Sequence, residues 1–578
     1  TDRRVSLHGH QPAMRRSPAL DTVHIHLQRT WERKVSVRYP AIGDPAADLS
    51  WQRRNRDLHD LRDLAERAHG NPVDLVVVGG GITGAGVALD AATRGMSVVL
   101  LERDDLAFGT SRWSSKLVHG GLRYLATGHV DVAWESAVER GHLMTTIAPH
   151  LVRALPQVVP VMDDMSLGSA LLTRAGFAAG DALRIGARTP DATLPPAHWI
   201  NAAKVSGLAP AIDTTRMRGG IMAWDGQLVD DARLVVAVAR TAAAFGARIL
   251  TRTEATTITG TGVEVRDTTT DERFSLAAKN VIAATGVWAG ELDERVTVHP
   301  SRGTHVVLDA ARLGNPLAAL TIPVPEMSGR YCFLLPRPDG TVLAGITDVG
   351  VDHIDAVPPA PESDIEWIIA QVNRVLATAV DRSDVLGAFT GLRPLVTLGS
   401  AGDGDPANTS DISRKHLVSR APEGHITITG GKLTTYRRMA QDAVNMITDT
   451  PCITTEVALL GAAPDLPRRS PGFFAADPLE MRYGAEAARV RALADLFEDP
   501  QQALQPVAAH TSVAPVDIAH AFLHEGAKDA GDVIERRLRL DAVDADLPAA
   551  RAAVEEVLER LDALHTRGHA GTVPAGAN

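Results

Sequence analysis

Short runs of β-branched and apolar residues that end beside glycine form the clearest pattern in the chain. Leu75–Val78 is the first of them, and Val281–Ala284 and Ile426–Thr429 repeat it much later. Continuous runs of about four to eight such residues are typical of strands that are buried on both faces of a parallel sheet. The first and last runs lead through glycines into segments of helical composition, so the pattern predicts an α/β fold.

The first run opens a nucleotide-binding pattern. It is followed by the spacing G-x-G-x-x-G, with glycines at Gly79, Gly81 and Gly84, and the predicted helix continues to Thr93. Such glycines permit a tight turn and let the backbone approach a pyrophosphate, whose charge is stabilised by the amides at the helix N-terminus. The spacing therefore predicts that these three glycines contact a dinucleotide.

A second strand, predicted over Ser97–Leu101, ends on an acid. This residue, Glu102, follows the glycines by about twenty positions. A carboxylate at that distance can accept hydrogen bonds from both ribose hydroxyls of an adenosine. It favours a free 2′-hydroxyl, and therefore NAD or FAD over NADP, and it leaves the choice between NAD and FAD open.

Two later segments favour FAD. The run Val281–Ala284 leads into a Thr-Gly turn at Gly286, and folds of the glutathione-reductase type bring such a late strand back to the nucleotide loop. The run Ile426–Thr429 meets Gly430 and Gly431, after which a helix is predicted to begin near Thr434. The positive end of that helix would stabilise the negative charge of a reduced flavin, which a nicotinamide site does not need.

Composition and charge limit the function classes. The chain has 578 residues and is 45% hydrophobic, which is enough for two to four domains. Its net charge of −11 argues against a general nucleic-acid binder. Only Cys332 and Cys452 are present, far apart, so neither a disulfide framework nor a metal site is expected and a reducing cytoplasm fits. No stretch approaches the roughly 18 apolar residues of a spanning helix.

The most distinctive motif is "SSKLVHGGLRYL", at residues 114–125. Together with "GGGITGAG", "DGQLVDDARL", "AATGVWA", "SRGTHVVL", "GITD", "GLRPL" and "GGKLTTYR", it resembles the FAD-dependent glycerol-3-phosphate dehydrogenases, which are membrane-associated respiratory enzymes. The resemblance covers about residues 74–449. The first and last motifs occur in other flavoproteins, whereas the long motif is specific to this family.

The resemblance implies an FAD-binding Rossmann-like domain of the glutathione-reductase type, with an inserted mixed-sheet substrate domain and a small helical C-terminal domain. An amphipathic helix is also predicted directly from "PAARAAVEEVLERLDALH" near the end of the chain. The expected segments are an N-terminal extension that is partly disordered in its first fifty residues or lies upstream of the working protein (1–70), FAD-binding segments (about 71–150, 225–300 and 385–450), substrate-domain segments (about 151–224 and 301–384), a Pro-rich linker (451–477) and the helical domain (478–578).

The resemblance also implies that FAD is contacted along its length by loop residues. Gly120 and Gly121 are expected to let the backbone pass close to the flavin, and Lys116 is either a cofactor contact or part of a structural ion pair. Besides the three glycines and Glu102, the expected contacts are Thr110, Ser111, Ser114, Ser115, Leu117, Gly286, Gly431, Lys432 and Thr434.

Glycerol 3-phosphate is the substrate that the resemblance implies. Its phosphate requires clustered cations, and guanidinium groups bind phosphate through paired hydrogen bonds. One departure affects the rim of the pocket, because Ile346 stands where the family usually has Thr. The expected substrate contacts are Arg123, Tyr124, His305, Arg393, Arg414 and Lys432.

The implied reaction is hydride transfer from C2 of the substrate to flavin N5, which gives dihydroxyacetone phosphate. His119 is the preferred general base, because the pKa of histidine lies near working pH. His305 is a rival or a supporting partner, and a purely structural role is the alternative for both histidines. Arg393 is expected to stabilise the developing alkoxide.

Several partners follow from the family alone. Quinone is the implied electron acceptor, and the protein would lie in the cytoplasm, peripherally on the inner face of the cell membrane; a homodimer is compatible with this. The stretch Met165–Phe177 suits a membrane surface, although a buried helix explains it equally well. Two other functions stay open, namely a glycerol-3-phosphate oxidase that reduces oxygen and a flavin-binding redox sensor without turnover.

Overall fold

A computed structural model describes the protein. It covers residues 21–23, 37–67, 71–121, 129–163, 167–325, 330–398, 415–464 and 477–568. Within these ranges a six-stranded and a ten-stranded sheet dominate, accompanied by a two-stranded and a three-stranded sheet. None of the helices in these ranges combines the length and the apolar character needed to cross a bilayer.

Strands and helices are interspersed as far as residue 430, and the described residues beyond it contain helices. The strands are β1 (Asp21–Val23), β2 (Val37–Tyr39), β3 (Leu75–Val78), β4 (Val98–Leu101), β5 (Leu117–Val118), β6 (Val152–Met162), β7 (His198–Ile200), β8 (Met217–Leu228), β9 (Arg248–Leu250), β10 (Thr253–Thr259), β11 (Gly262–Asp267), β12 (Arg273–Ala277), β13 (Val281–Ala283), β14 (Val296–Asp309), β15 (Ala319–Pro323), β16 (Tyr331–Pro336), β17 (Thr341–Gly345), β18 (Val349–Gly350), β19 (Val385–Leu398), β20 (His416–Arg420) and β21 (Ile426–Gly430). The helices are α1 (Trp51–Glu66), α2 (Ile82–Thr93), α3 (Val130–His142), α4 (Leu167–Gly186), α5 (Ala202–Leu208), α6 (Asp231–Ala244), α7 (Ala289–Leu292), α8 (Glu362–Asn373), α9 (Tyr436–Val444), α10 (Pro478–Tyr483), α11 (Ala487–Ala492), α12 (Pro515–His524) and α13 (Leu547–Gly568).

The six-stranded sheet carries the glycine loop. Its order is β20–β21–β13–β3–β4–β9, and every pairing is parallel except that of β20 with β21. Leu75 and Val77 of β3 share a core with α2, α6 and α9, while Val76 and Val78 face the antiparallel sheet β10–β11–β12. The strand is therefore apolar throughout because both of its faces are covered. The predicted α/β fold, with a parallel sheet that carries the glycine loop, is confirmed.

Helix α6 is the most enclosed element of this core. All of its 14 residues are buried. Its apolar residues pack beneath the six-stranded sheet, whereas its Arg233 and Arg240 form ion pairs with Glu525 and Glu486 of the C-terminal part. One helix therefore contacts both the nucleotide-binding core and the C-terminal helices.

The ten-stranded sheet is mixed, as expected for the substrate domain. Its main order is β18–β14–β17–β16–β15–β6–β8–β5, with β19 beside β14 and β7 beside β8, and only β15 and β6 run parallel. Helices α5 and α8 cover one face, where Val205, Ile365 and Ile368 enter the core. Strands β8 and β14 continue across the predicted changes of segment at 224/225 and 300/301, and β19 lies in a segment expected to bind FAD although it pairs with β14 of this sheet.

The segment before the glycine loop packs on the nucleotide-binding core. Leu58 and Leu61 of α1 enter the core beneath the three-stranded sheet. Arg54 is buried and donates to Asp267 at 2.9 Å and to Thr253 Oγ1 at 2.9 Å. Of the first fifty residues, 1–20 and 24–36 lie outside the described residues, as do residues 465–476 of the expected linker.

The C-terminal part is helical, as predicted. Helices α12 and α13 share a core in which Ile518, Ala550, Val554 and Val557 are buried. The spacing of the last three matches one face of the predicted amphipathic helix. A second cluster joins α10, α11 and α12.

Candidate active site

A cavity of about 1050 Å³ is lined by residues of both large sheets. This volume is near the upper end of the range of about 300–1,000 Å³ that ligand pockets occupy. Fourteen of the residues predicted from the sequence line it, namely Gly79, Gly81, Glu102, Thr110, Ser111, Ser114, Ser115, Leu117, His119, Gly286, Arg393, Gly431, Lys432 and Thr434. The fold therefore brings motifs that are far apart in the sequence to one cavity.

The glycine loop is shaped by close backbone contacts. Gly79 has a φ of +109°, and a Cβ there would lie 2.6 Å from the carbonyl oxygen of Ala284, the residue after β13. A Cβ on Gly84 would lie 1.9 Å from the carbonyl oxygen of Gly79. Gly84 thus packs α2 against the turn and is not among the residues that line the cavity.

Glu102 closes the loop from the end of β4. Its Oε2 accepts the N–H of Gly80 at 2.6 Å, and its Oε1 accepts the N–H of Asp104 at 2.8 Å. Burial raises the pKa of Glu102 to about 7. A Cβ on Gly80 would lie 2.9 Å from Cβ of Glu102, so Gly80 is also required, although the sequence pattern did not single it out.

Hydroxyl groups surround the N-terminus of α2. Ser111 Oγ accepts the N–H of Ile82, the first residue of the helix, at 2.9 Å. Thr110 Oγ1 donates to the carbonyl oxygen of Leu392 at 2.7 Å, which ties this loop to β19. Thr285 Oγ1 lines the cavity, is buried, and has no hydrogen-bond partner within the described residues. Ser111 Oγ therefore already accepts a hydrogen bond at the positive end of α2, and the hydroxyl of Thr285 is available to hydrogen-bond a ligand.

Lys116 belongs to a structural ion pair. Its Nζ donates to Asp231 Oδ1 and, at 2.9 Å, to the carbonyl oxygen of Arg112. Asp231 Oδ2 also accepts the N–H of Ser114 at 2.8 Å. Lys116 is 2% exposed and does not line the cavity. The pair therefore fixes the backbone that presents Ser114 and Ser115.

A second helix N-terminus reaches the cavity from the other side. Gly430 and Gly431 have φ values of +78° and +69°, and a Cβ on Gly431 would lie 2.6 Å from Sδ of Met439 in α9. A 3₁₀ turn at Leu433–Thr435 leads into α9. Lys432 Nζ donates to Ser136 Oγ of α3 at 2.8 Å. The glycine pair lets the chain turn from β21 so that residues 430–434, just before α9, line the cavity.

The Gly-Gly of the long motif is held by a buried ion pair that sequence reasoning missed. Asp225 Oδ1 accepts the N–H of Gly120 at 3.1 Å and a hydrogen bond from Arg140 Nη1 at 2.7 Å. A Cβ on Gly120 would lie 2.5 Å from Arg140 Nη1, so a side chain there would displace the guanidinium from its present position beside Asp225. Burial raises the pKa of the Asp225 carboxyl. The pair fixes the position of His119, whose Nδ1 lies 3.2 Å from the N–H of Gly121.

His305 lies behind the cavity wall. Its Nε2 is 2.9 Å from Ser115 Oγ, and its ring stacks on Phe389 with centroids 4.9 Å apart. Burial lowers the pKa of His305 to about 3, so the ring is neutral at physiological pH. His305 is 1% exposed and is not among the lining residues, which differs from the substrate contact expected from the sequence. Its link to the cavity runs through Ser115.

Arg393 is oriented by groups of the ten-stranded sheet. Its Nη1 lies 3.3 Å from Asp348 Oδ1 and 3.2 Å from Ser301 Oγ, and its Nη2 donates to the carbonyl oxygen of Thr347 at 3.0 Å. Arg330 Nη2 lies 4.0 Å from Asp348 Oδ2, so two guanidinium groups share one carboxylate. Both arginines line the cavity, and sequence reasoning missed Arg330 because it belongs to no quoted motif.

Ile346, which departs from the family pattern, lines the cavity. Arg123, Tyr124 and Arg414 lie outside the described residues. Within the described ranges, no group of His, Cys, Asp or Glu side chains is arranged to hold a metal ion.

Comparison with known proteins assigns the family. Residues 74–437 match the FAD-dependent oxidoreductase family, and residues 452–566 match the C-terminal domain of alpha-glycerophosphate oxidase. Glycerol-3-phosphate dehydrogenase 1 of Mycobacterium tuberculosis is 48% identical over 524 residues, which is 89% of this chain and 99% of that protein. The chain belongs to the FAD-dependent glycerol-3-phosphate dehydrogenase family. A mitochondrial member from Arabidopsis thaliana is 32% identical over 91% of this chain and 87% of its own length.

Solved structures agree with this family fold. A glycerol-3-phosphate dehydrogenase from Bacillus halodurans, complexed with FAD, has a TM-score of 0.65 and 24% identity, and it covers 92% of this chain and 100% of that one. The L-alpha-glycerophosphate oxidase of Mycoplasma pneumoniae has a TM-score of 0.50 and 17% identity over 67% of this chain and 99% of its own. At these identities the likeness concerns the fold alone.

FAD is the cofactor of this dehydrogenase family, and the cavity fits it. The carboxylate of Glu102 suits a ribose, and the α2 N-terminus with Ser111 suits a pyrophosphate. The amides before α9 suit the flavin ring, because the positive end of a helix stabilises negative charge. The unpartnered hydroxyl of Thr285 is a further polar group for the cofactor.

Proposed function

We propose that the chain oxidises sn-glycerol 3-phosphate to dihydroxyacetone phosphate. The observation that carries this proposal is that the cavity with the dinucleotide loop also contains two arginines, Arg330 and Arg393, together with His119. The names of the relatives support the same substrate. FAD, when bound, would supply the redox chemistry, with its N5 as the acceptor of the hydride from C2.

In this proposal the arginines bind the phosphate. Arg330 and Arg393 approach Asp348 from two sides, and Lys432 adds a third cation to the same cavity. Two guanidinium groups at one carboxylate, with a lysine elsewhere on the cavity wall, leave positive charge for a dianion, and a guanidinium group can donate two hydrogen bonds to phosphate. From the family pattern, Arg123, Tyr124 and Arg414 are proposed to complete the site.

His119 is the group that we assign to remove the proton from the C2 hydroxyl. Its position on the cavity wall, fixed through Gly120 and Asp225, supports this role, whereas the buried and weakly basic His305 is suited to orienting Ser115. For Nε2 to act as the base, Nδ1 must carry the ring proton. A protonated Nδ1 cannot accept a hydrogen bond, so the 3.2 Å hydrogen bond from the N–H of Gly121 must then be broken. A bound substrate would have to select that tautomer. Arg393 is proposed to stabilise the oxygen as it becomes negative.

Quinone is the proposed electron acceptor, reached from a membrane surface on the cytoplasmic side. Val130, Trp134 and Ile185 are large apolar residues with 55%, 45% and 64% exposure. Trp134 packs against the end of α4, since a Cβ on Gly186 would lie 2.7 Å from its ring. Phe177 of the same helix lines the cavity. An exposed apolar surface beside a cofactor cavity supports peripheral membrane contact, whereas a homodimer stays a prediction.

Oxygen is the second candidate acceptor, because the C-terminal part matches a domain described for alpha-glycerophosphate oxidase. Anaerobic addition of glycerol 3-phosphate should bleach the yellow flavin spectrum of the purified protein, whereas 2-hydroxy acids and amino acids should not. Absence of bleaching would overturn the proposed activity and leave a redox sensor. Once bleaching is established, an oxygen electrode separates the oxidase, which consumes oxygen during turnover, from the quinone-linked enzyme.

A further inference from the structure

The loop between Glu102 and Ser115 has two chemically distinct sides. Its cavity side carries the residues that line the proposed cofactor site, among them Glu102, Ser111 and Ser115. Its opposite side carries two charged residues, Asp105 and Arg112, which are buried and do not line the cavity. A loop of this kind needs partners for its buried charges, because an unpaired charge in the interior is strongly destabilising.

The partners of Asp105 come from the C-terminal domain. Its carboxylate accepts hydrogen bonds from Arg536 Nε at 2.9 Å and from both Nη atoms of Arg537 at 2.7 Å. All three residues are at most 4% exposed. Burial alone would raise the pKa of Asp105, but the two guanidinium groups outweigh it and hold the pKa below its ordinary value. The carboxylate therefore stays charged and paired.

The partner of Arg112 comes from the same segment. Its Nη1 donates to Glu535 Oε2 at 2.9 Å, and its guanidinium lies 4.4 Å from the ring centroid of Trp113. Arg539 covers Trp113 as well, also at 4.4 Å. Because Trp113 lines the cavity, cations that touch the C-terminal segment support a wall of the site from behind.

We propose that the segment Asp532–Arg539 of the C-terminal domain is part of the cofactor site, because it holds the loop Glu102–Ser115 in the shape that binds FAD. Arg536 and Arg537 are then positioning residues that act through Asp105. When the segment separates, the loop loses the partners of two buried charges and samples other shapes. The apparent dissociation constant for FAD rises in proportion to the fraction of molecules whose loop is no longer competent.

The first test measures FAD affinity in full-length variants by titrating the apoprotein with FAD and following the quenching of flavin fluorescence. Arg537→Gln should raise the dissociation constant at least about tenfold, which corresponds to a competent fraction of about one tenth or less. Arg537→Lys, which keeps the charge, should recover part of the loss.

Arg240→Gln is the matched control. It breaks a buried ion pair with Glu486 of the same C-terminal domain, at 2.9 and 3.0 Å. Arg240 lies nine residues along α6 from Asp231, about 14 Å from the end that holds the Ser114 loop. Its variant should lose thermal stability but keep its FAD affinity. If both variants release FAD equally, general destabilisation explains the result and the proposal is wrong.

A second measurement uses the unmodified protein, so it does not depend on any variant folding. Linkage is reciprocal, so FAD must stabilise the docked segment as much as the segment stabilises bound FAD. Amide hydrogen exchange in residues 532–539 should be at least about tenfold slower with FAD than without it. Equal exchange in the two states would overturn the proposal. Neither test uses glycerol 3-phosphate, so failure here is distinct from failure of the proposed activity.

Discussion

Replacement of His305 by glutamine should make the protein more resistant to acid. Burial holds the pKa of His305 at about 3, whereas an unfolded histidine has a pKa of about 6.5. Below that value the unfolded chain binds a proton at this histidine, whereas the native chain does not. The free energy of unfolding therefore falls as the pH decreases toward 3. Each pH unit in this window corresponds to about 1.4 kcal/mol, so between pH 7.5 and pH 5 the single histidine removes about 2 kcal/mol.

The assay is urea unfolding of wild type and His305→Gln at pH 7.5 and at pH 5. Glutamine can keep the hydrogen bond to Ser115, so the two proteins should differ mainly in how much stability each loses on acidification. The variant should lose about 2 kcal/mol less. His299→Gln, at a half-buried position of the same strand, is the control and should behave as wild type. Equal losses in wild type and His305→Gln would refute the reasoning.

Four further outcomes are expected. Gly84→Ala should purify without FAD and unfold at a lower temperature, because its Cβ would lie 1.9 Å from a backbone oxygen. Gly207→Ala is the control and should fold and bind FAD normally, because no atom lies within 4 Å of the added Cβ. Arg330→Gln should raise the dissociation constant for glycerol 3-phosphate about tenfold or more in the anaerobic titration without changing the FAD content, since it removes a charged hydrogen-bond donor. His119→Asn should keep FAD but slow flavin reduction in stopped-flow mixing by about 10²–10⁴-fold, and an unchanged rate would exclude the base role. Trp134→Glu should weaken flotation with lipid vesicles, and equal flotation would remove this surface from the membrane proposal.

The fold was predictable because its evidence is local. Leu75–Val78 is apolar at every position, as expected for a strand that is covered on both faces. Gly79 follows at the point where the backbone must turn. Which strands share the ten-stranded sheet was harder to predict. Strand β19 belongs to the ten-stranded sheet through its pairing with β14, about ninety positions earlier, and no local pattern reveals that partner.

The site residues also differ in whether their setting depends on a local motif or on distant parts of the chain. Thr110, Ser111 and Ser115 could be placed in the cavity because they belong to a family motif. The setting of His305 could not be predicted, since its burial depends on Phe389 and on Ser115, which is 190 residues away. Lys116 stayed undecided for the same reason, because Asp231 lies 115 residues further along the chain.

Helix α6 has a consequence for how such a chain can change. It has no exposed residue, and it serves two neighbours: Asp231 holds the loop that presents Ser114, while Arg233 and Arg240 hold the C-terminal helices. The C-terminal helices therefore cannot be exchanged for those of a distant relative as a self-contained module. A chimera would have to carry its own α6, and with it a new fit to the loop around the cofactor.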